Sequence, residues 1–128
     1  MKRFLCPVTT FENGFQYPQS FLNVIDEDDL IDLEPWWFLC EFEGYSQQWF
    51  DEIKKLYPER NLIPFAKKSD SDDVACFDGH STSGDPKVYY VHAFASPGWE
   101  DHGTAANFNA WFAAAENESA VYKSGQRT

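Results

Sequence analysis

The spacing of apolar positions changes along the chain, and each spacing predicts an element. Pro18 followed by Phe21, Leu22 and Ile25 predicts a short helix with proline near its first turn, where a missing amide proton costs nothing. The acidic run 26–29 ends it. Leu30, Ile31 and Leu33 then lead through Pro35 into Trp36, Trp37, Phe38 and Leu39, a segment whose pattern fits a short helix or an extended piece equally well. Trp49, Phe50, Ile53, Leu56 and Tyr57 share one helical face, with Asp51 four residues before Lys55, Ser46 as N-cap and Pro58 as stop.

Residues 62–66 predict a strand, and Pro64, which cannot donate to a ladder, points to an edge or a strand end. Residues 74–77 and 87–94 predict two further strands. The turn-rich loop 78–86 between them suits an antiparallel hairpin. Gly103 and Thr104 are expected to open a last helix in which Phe108, Trp111, Phe112 and Ala115 recur at helical spacing, backed by Ala105, Ala106, Ala110, Ala113 and Ala114. That helix should lay its aromatic stripe on the sheet, and the tail 117–128 is expected to fray. Helices, then strands, then a helix is an α+β order. With no repeat and no linker, residues 1–128 read as one domain with its core over 14–115.

Composition narrows the function classes. A chain of 128 residues has no room for a two-domain enzyme built on a classical cofactor fold. With 21 Asp and Glu against 10 Lys and Arg, the net charge of -11 disfavours nucleic acid and anionic lipid as partners. Aromatic residues at 18% supply enough bulk for a core, which argues against disorder. The densest apolar stretch, 35–42, is broken by Glu41 and is too short to cross a bilayer. Lys2 and Arg3 before Phe4, Leu5 and Cys6 resemble the start of a signal, but Pro7, Thr9, Thr10 and Glu12 interrupt it, so the expected compartment is the cytoplasm. Cys6, Cys40 and Cys76 are odd in number and widely spaced, as expected of reduced, partly buried thiols.

The charge is unevenly placed. Residues 4–53 hold 11 acids and no Lys or Arg, while the other 78 residues hold 10 acids and 10 bases. Such a block serves either as a solvated face or as a docking surface that steers a basic partner.

Other chemistries have thinner support. Cys76, Asp78, His80, His92 and His102 match no strong zinc spacing. A calcium loop beginning at Asp70 would place Val74 at its fifth position and Ala75 where glycine is required. Ser81, Ser83 and Ser96 lack a G-x-S-x-G context, and a Cys/His pair formed only in space stays open. Some close carboxylate pair is nearly inevitable among so many acids and carries little weight. Trp99, between Pro97, Gly98, Glu100 and Asp101, is either an interface anchor or a cap on the core. No catalytic residue, metal or cofactor is assigned.

Residues 62–66 (LIPFA), 72–78 (DDVACFD) and 86–92 (PKVYYVH), with Phe108, Trp111 and Phe112, form an ordered set, and 14–22 (GFQYPQSFL) precedes it. In that order they resemble the SUKH superfamily, the group related to a fungal regulator of cell-wall synthesis and widespread in bacteria as immunity proteins. The chain departs from many members in carrying Ser71-Asp72-Asp73 where they have a glycine. The resemblance implies a twisted, mainly antiparallel sheet flanked by helices, no catalytic residues, and the binding and neutralising of a cognate toxin. Such toxins are often nucleases and basic, which suits the acidic block. The expected contact residues are Asp26, Glu27, Asp28, Asp29, Asp32 and Glu34, with Asp70, Asp72, Asp73, Trp99, Glu100 and Asp101 second. The chain is expected to be a monomer or weak homodimer. A regulatory interaction scaffold is the alternative, and a small metal-dependent hydrolase a more distant one.

Overall fold

The structure, a computed structural model, describes residues 3–11, 14–94 and 101–125, without the side chains of Asp101 and His102. The elements are α1 (Gln19–Ile25), β1 (Trp36–Phe38), α2 (Tyr45–Leu56), β2 (Leu62–Lys68), β3 (Asp73–Asp78), β4 (Val88–His92), β5 (Asp101–Ala105) and α3 (Phe108–Gly125). The strands form one antiparallel sheet in the order β1-β2-β3-β4-β5, so each neighbour in space is a neighbour in sequence. With three helices packed on this sheet, the fold is a single small α+β domain.

Alternation along the strands divides the core between the two faces of the sheet. Ala75 and Phe77 point to the side of α1 and α3, where they meet Phe21, Phe65, Phe108 and Trp111. Cys6, Phe11 and Phe15 from the N-terminal segment close that layer. Val74 and Cys76 point the other way and pack with Leu62, Val91 and Ile53 of α2. Phe65 lies flat on Phe77 with ring centroids 4.1 Å apart, while Trp111 meets Phe65 edge-on at 4.9 Å. Such aromatic pairs add about 0.5–1.5 kcal/mol each beyond area burial.

Several local expectations change for identifiable reasons. The segment with two readings resolves into the strand β1 followed by a single 3-10 turn over Leu39–Glu41. The N-cap of α2 is Gly44, at φ 82, and not Ser46, which lies buried inside the first turn. The chain enters this helix through a left-handed residue, a conformation glycine adopts without steric cost. Asp51 takes a 2.9 Å hydrogen bond from Gln47 Nε2 in place of the expected pairing with Lys55. Strand β2 is interior to the sheet, yet β1 covers only its 66–68 end, so Pro64 lies where no neighbour on that side asks for its N–H. A register shift between Pro64 and Ala66 inserts Phe65 there.

The largest difference concerns residues 101–106. Gly103 and Thr104 do not open a helix; they belong to β5, paired with β4 through Val88↔Ala105 and Tyr89↔Thr104. Gly103 sits at φ 112, far from helical values, and the ladder to β4 outweighs the helix propensity of the alanines. Helix α3 starts at Phe108, where Asn107 Oδ1 accepts the N–H of Ala110 at 3.0 Å. Nor does the tail fray at 117: α3 runs on to Gly125, because Glu118, Ser119 and Lys123 all engage the body of the protein.

Candidate partner-binding surface

Two groups of acids, far apart in sequence, are linked where the Glu34–Pro35 corner meets the β2–β3 turn. The first follows α1, whose last turn closes as Asp26 N donates to Leu22 O at 3.0 Å. Asp26, Glu27, Asp28 and Asp29 are exposed there. The chain then alternates, with Ile31, Asp32 and Glu34 outward and Leu33 buried, before reaching β1 through a cis Glu34–Pro35 peptide. Asp32 Oδ1 accepts the N–H of Glu34 at 3.0 Å, an Asx turn that fixes this corner.

The second group lies in the β2–β3 turn. Ser69 N donates to Pro35 O at 2.8 Å, which sets Asp70 and Asp72 beside the Glu34 corner. Ser71 Oγ accepts the N–H of Asp73 at 3.2 Å, and Lys67 Nζ donates to Ser71 O at 2.9 Å, so the turn is held from within.

Only some of these acids have a side-chain nitrogen as partner. Asp73 Oδ1 lies 2.9 Å from His92 Nδ1 across the β3–β4 pair. Asp32 Oδ2 lies 3.3 Å from Lys123 Nζ of α3. The Glu34 N–H holds the Asp32 carboxyl below its ordinary range, and Lys123 adds to this against a small opposing effect of burial. Among the described residues, no cation lies within 4.0 Å of the carboxylates of Asp26, Glu27, Asp29, Glu34, Asp70 or Asp72. Cations do stand close by through the backbone, Arg3 donating to Glu27 O at 2.8 Å and Lys67 to Ser71 O at 2.9 Å, but neither reaches these six carboxylates.

Apolar groups interrupt these acids. Val24, Ile31 and Phe112 floor a groove of about 350 Å³ between α1 and α3, rimmed by Asn23, Glu27 and Asp29. Phe94, just past β4, is 60% exposed at φ 63. Its neighbour Ala93 donates to Asp72 O at 3.0 Å, so the ring stands beside the acidic turn. An exposed aromatic residue held in a left-handed backbone costs about 1–3 kcal/mol, and such strain concentrates at functional positions.

The tryptophans divide. Trp36 is buried against Trp111, with centroids 5.5 Å apart. Trp37, on the opposite side of β1, contacts the rings of Phe42 and Tyr45, which are 49% and 42% exposed. Trp99 and Glu100 lie outside the described residues, as do Ser96 and the side chain of Asp101.

The other candidate chemistries find little geometry. Cys76 points to the α2 face, whereas His92 lies on the opposite face beside Asp73, so these two form no pair. All three cysteines are free and buried. Burial raises the Cys6 and Cys76 thiols and pushes Cys40 up to about 12, the reverse of what a nucleophile needs. Among the described residues no three His, Cys, Asp or Glu side chains come together as metal ligands. Nor is any helix among them long and apolar enough to cross a membrane. Comparison of the chain with family models, curated proteins and solved structures finds no match.

The residues that sequence reasoning missed are Phe94, Ile31, Ser119 and Lys123. Phe94 reads in sequence as the end of a β-favouring run, and nothing in a linear pattern signals its left-handed backbone. Lys123 falls in a tail that reads as frayed, although Phe108, Trp111, Ala115 and Ser119 keep helical spacing with small or apolar residues past 117.

Proposed function

We propose that the protein is a non-enzymatic immunity protein of the SUKH kind, which binds a basic toxin in the cytoplasm and neutralises it by covering its active site or substrate groove. The observation that supports this reading is the set of exposed acids Asp26, Glu27, Asp29, Glu34, Asp70 and Asp72, none of whose carboxylates has a cation within 4.0 Å among the described residues, with exposed apolar groups among them. A field of one sign accelerates encounter with a partner of the other, and an aromatic anchor at its edge supplies contact energy after encounter. A nuclease fits this partner class, because a protein that holds an anionic substrate presents a cationic surface.

The test is the association rate of the chain with the product of an adjacent toxin-like gene, followed as salt is raised through the physiological range. The rate should fall steeply for the native chain and much less for an Asp26→Lys, Asp29→Lys, Asp70→Lys variant. A rate indifferent to salt in both would remove the electrostatic mechanism.

A second reading, a scaffold that joins two partners, draws on the exposed Phe42 and Tyr45 beside Trp37, on the face of the sheet away from α3. Their substitution by serine would abolish a ternary complex and leave toxin neutralisation intact.

A further inference from the structure

Where β2 begins and β3 ends, a cavity of about 340 Å³ opens between the N-terminal segment, α2 and the turn that joins α2 to β2. It lies at the end of the sheet opposite the acidic β2–β3 turn, separated from it by the length of β2, about 20 Å at roughly 3.3 Å per residue. The volume falls at the lower end of the range for small-molecule pockets, roughly 300–1,000 Å³, and admits a ligand of mononucleotide size.

Aromatic rings and hydrogen-bond donors line it together. Phe11 and Phe50 form an apolar floor, meeting edge to face with ring centroids 5.5 Å apart. Lys54 comes from the last turns of α2, and among the described residues its Nζ has no carboxylate within 4.0 Å. His80 follows β3, where its backbone N–H donates to Asp78 Oδ1 at 3.0 Å and its exposed imidazole makes no hydrogen bond among the described residues. The Asn61 side chain is held against Gly79: the Gly79 N–H donates to Asn61 O at 2.9 Å, and a Cβ on Gly79 would strike the Asn61 carboxamide. Arg60 lies over the Tyr89 ring, 5.4 Å from its centroid, with Lys87 Nζ 5.7 Å from the same centroid. Against Lys54 and Arg60 the lining carries one carboxylate, the exposed Glu59. In a chain of net charge -11, a cavity whose cations outnumber its acids does not follow from composition.

We infer that this cavity binds a phosphate monoester carrying a planar ring, with the ring on Phe50 and the phosphate held by Lys54, His80 and Asn61. The terminal oxygens of a phosphate monoester are acceptors, and an ammonium, an imidazole N–H and a carboxamide N–H are the donors that match them. Three donors suit three terminal oxygens, where a carboxylate offers only two. An imidazole donates an N–H in either charge state, so His80 serves at neutral pH. Arg60 contributes its charge from its place on Tyr89. The floor sets the need for a ring: a bare anion would leave the phenylalanines against water, whereas a flat ring stacks on them or meets them edge-on. The site stands apart from the acidic surface and does not depend on the toxin reading.

The test is titration of the full chain with adenosine monophosphate, ribose 5-phosphate and adenosine at physiological salt, followed through amide chemical shifts by NMR. Adenosine monophosphate should bind about tenfold more tightly than either fragment and move the amides of residues 50, 54, 60–61 and 79–80 most. Lys54→Gln and His80→Gln, both at exposed positions, should each weaken its binding about tenfold and leave adenosine unchanged. Phe50→Leu should weaken adenosine monophosphate and adenosine alike, about fivefold, and leave ribose 5-phosphate unchanged. Lys55→Gln removes the same charge from an exposed neighbour outside the lining and should change none of the three. No binding of adenosine monophosphate at millimolar concentration, ribose 5-phosphate binding as tightly as the nucleotide, or equal losses in Lys54→Gln and Lys55→Gln would overturn the inference.

Discussion

Lys68 on β2 and Glu118 on α3 are joined by an ion pair of 2.7 Å, which ties the sheet to the long helix. The same carboxylate accepts the indole N–H of Trp36 at 3.2 Å, so one side chain of α3 fixes two strands. Trp36 is 3% exposed, and without Glu118 its N–H would have no acceptor. Glu118→Ala should therefore destabilise the protein by about 1–3 kcal/mol in urea denaturation, whereas Glu118→Gln, which keeps an acceptor for Trp36, should cost less than about 1 kcal/mol. Equal losses in the two variants would show that the charge, and not the indole, dominates.

The same region sets a pH dependence at both extremes. Burial opposes the charge on Lys68, but the bond to Glu118 and the attraction of Glu118, Asp70 and Asp73 leave its ammonium with a raised pKa. The stability it contributes is complete below about pH 10, the unfolded value, and is lost as pH climbs through the folded one. Asp32 is shifted downwards, so its contribution is complete above about pH 4 and is lost on further acidification. The melting-temperature gap between native protein and Lys68→Met should stay constant near neutrality and shrink in strong alkali, and in acid as its carboxylate partners are protonated. The gap to Asp32→Asn should shrink only in acid.

The cysteines should be inert in the folded protein. With Cys40 raised to about 12 and all three thiols buried, iodoacetamide at pH 8 should label none of them until denaturant is added. Mass spectrometry across a urea series should show three labels appearing together at the unfolding midpoint. Labelling of one cysteine under native conditions would mark a local opening.

Phe94 separates stability from binding. Asparagine tolerates the left-handed region better than phenylalanine, so Phe94→Asn should leave stability unchanged or raise it by about 1 kcal/mol. If the ring anchors the partner, the same change should weaken binding by about 1–2 kcal/mol in calorimetry. A loss of stability without a loss of affinity would assign Phe94 to the fold alone.

What could be read from sequence was local. The period of Trp49, Phe50 and Ile53 marks α2, and the β-branched and aromatic runs flanking the 78–86 loop mark β3 and β4, because these elements rest on short-range pattern. Strand β5 was illegible, since Gly103, Thr104 and Ala105 carry no alternation and are ordered by pairing with β4. The outer turns of α3 were illegible for a related reason: Glu118 and Lys123 look solvated until Lys68, Trp36 and Asp32 are placed opposite them. The acidic block was visible as composition, but the approach of its Glu34 corner to the β2–β3 turn depends on the pairing of β1 with β2, extended by the bond from Ser69 N to Pro35 O.

Whether this acidic surface neutralises a toxin can be read from growth. A candidate toxin gene adjacent to that of the protein is induced in a test bacterium with the native chain, with an Asp26→Lys, Asp29→Lys, Asp70→Lys variant, and with neither. Growth is expected with the native chain and arrest with the variant, both proteins being soluble and the variant folded by circular dichroism. Arrest with the native chain, or equal protection by the charge-reversed variant, would contradict that role of the surface.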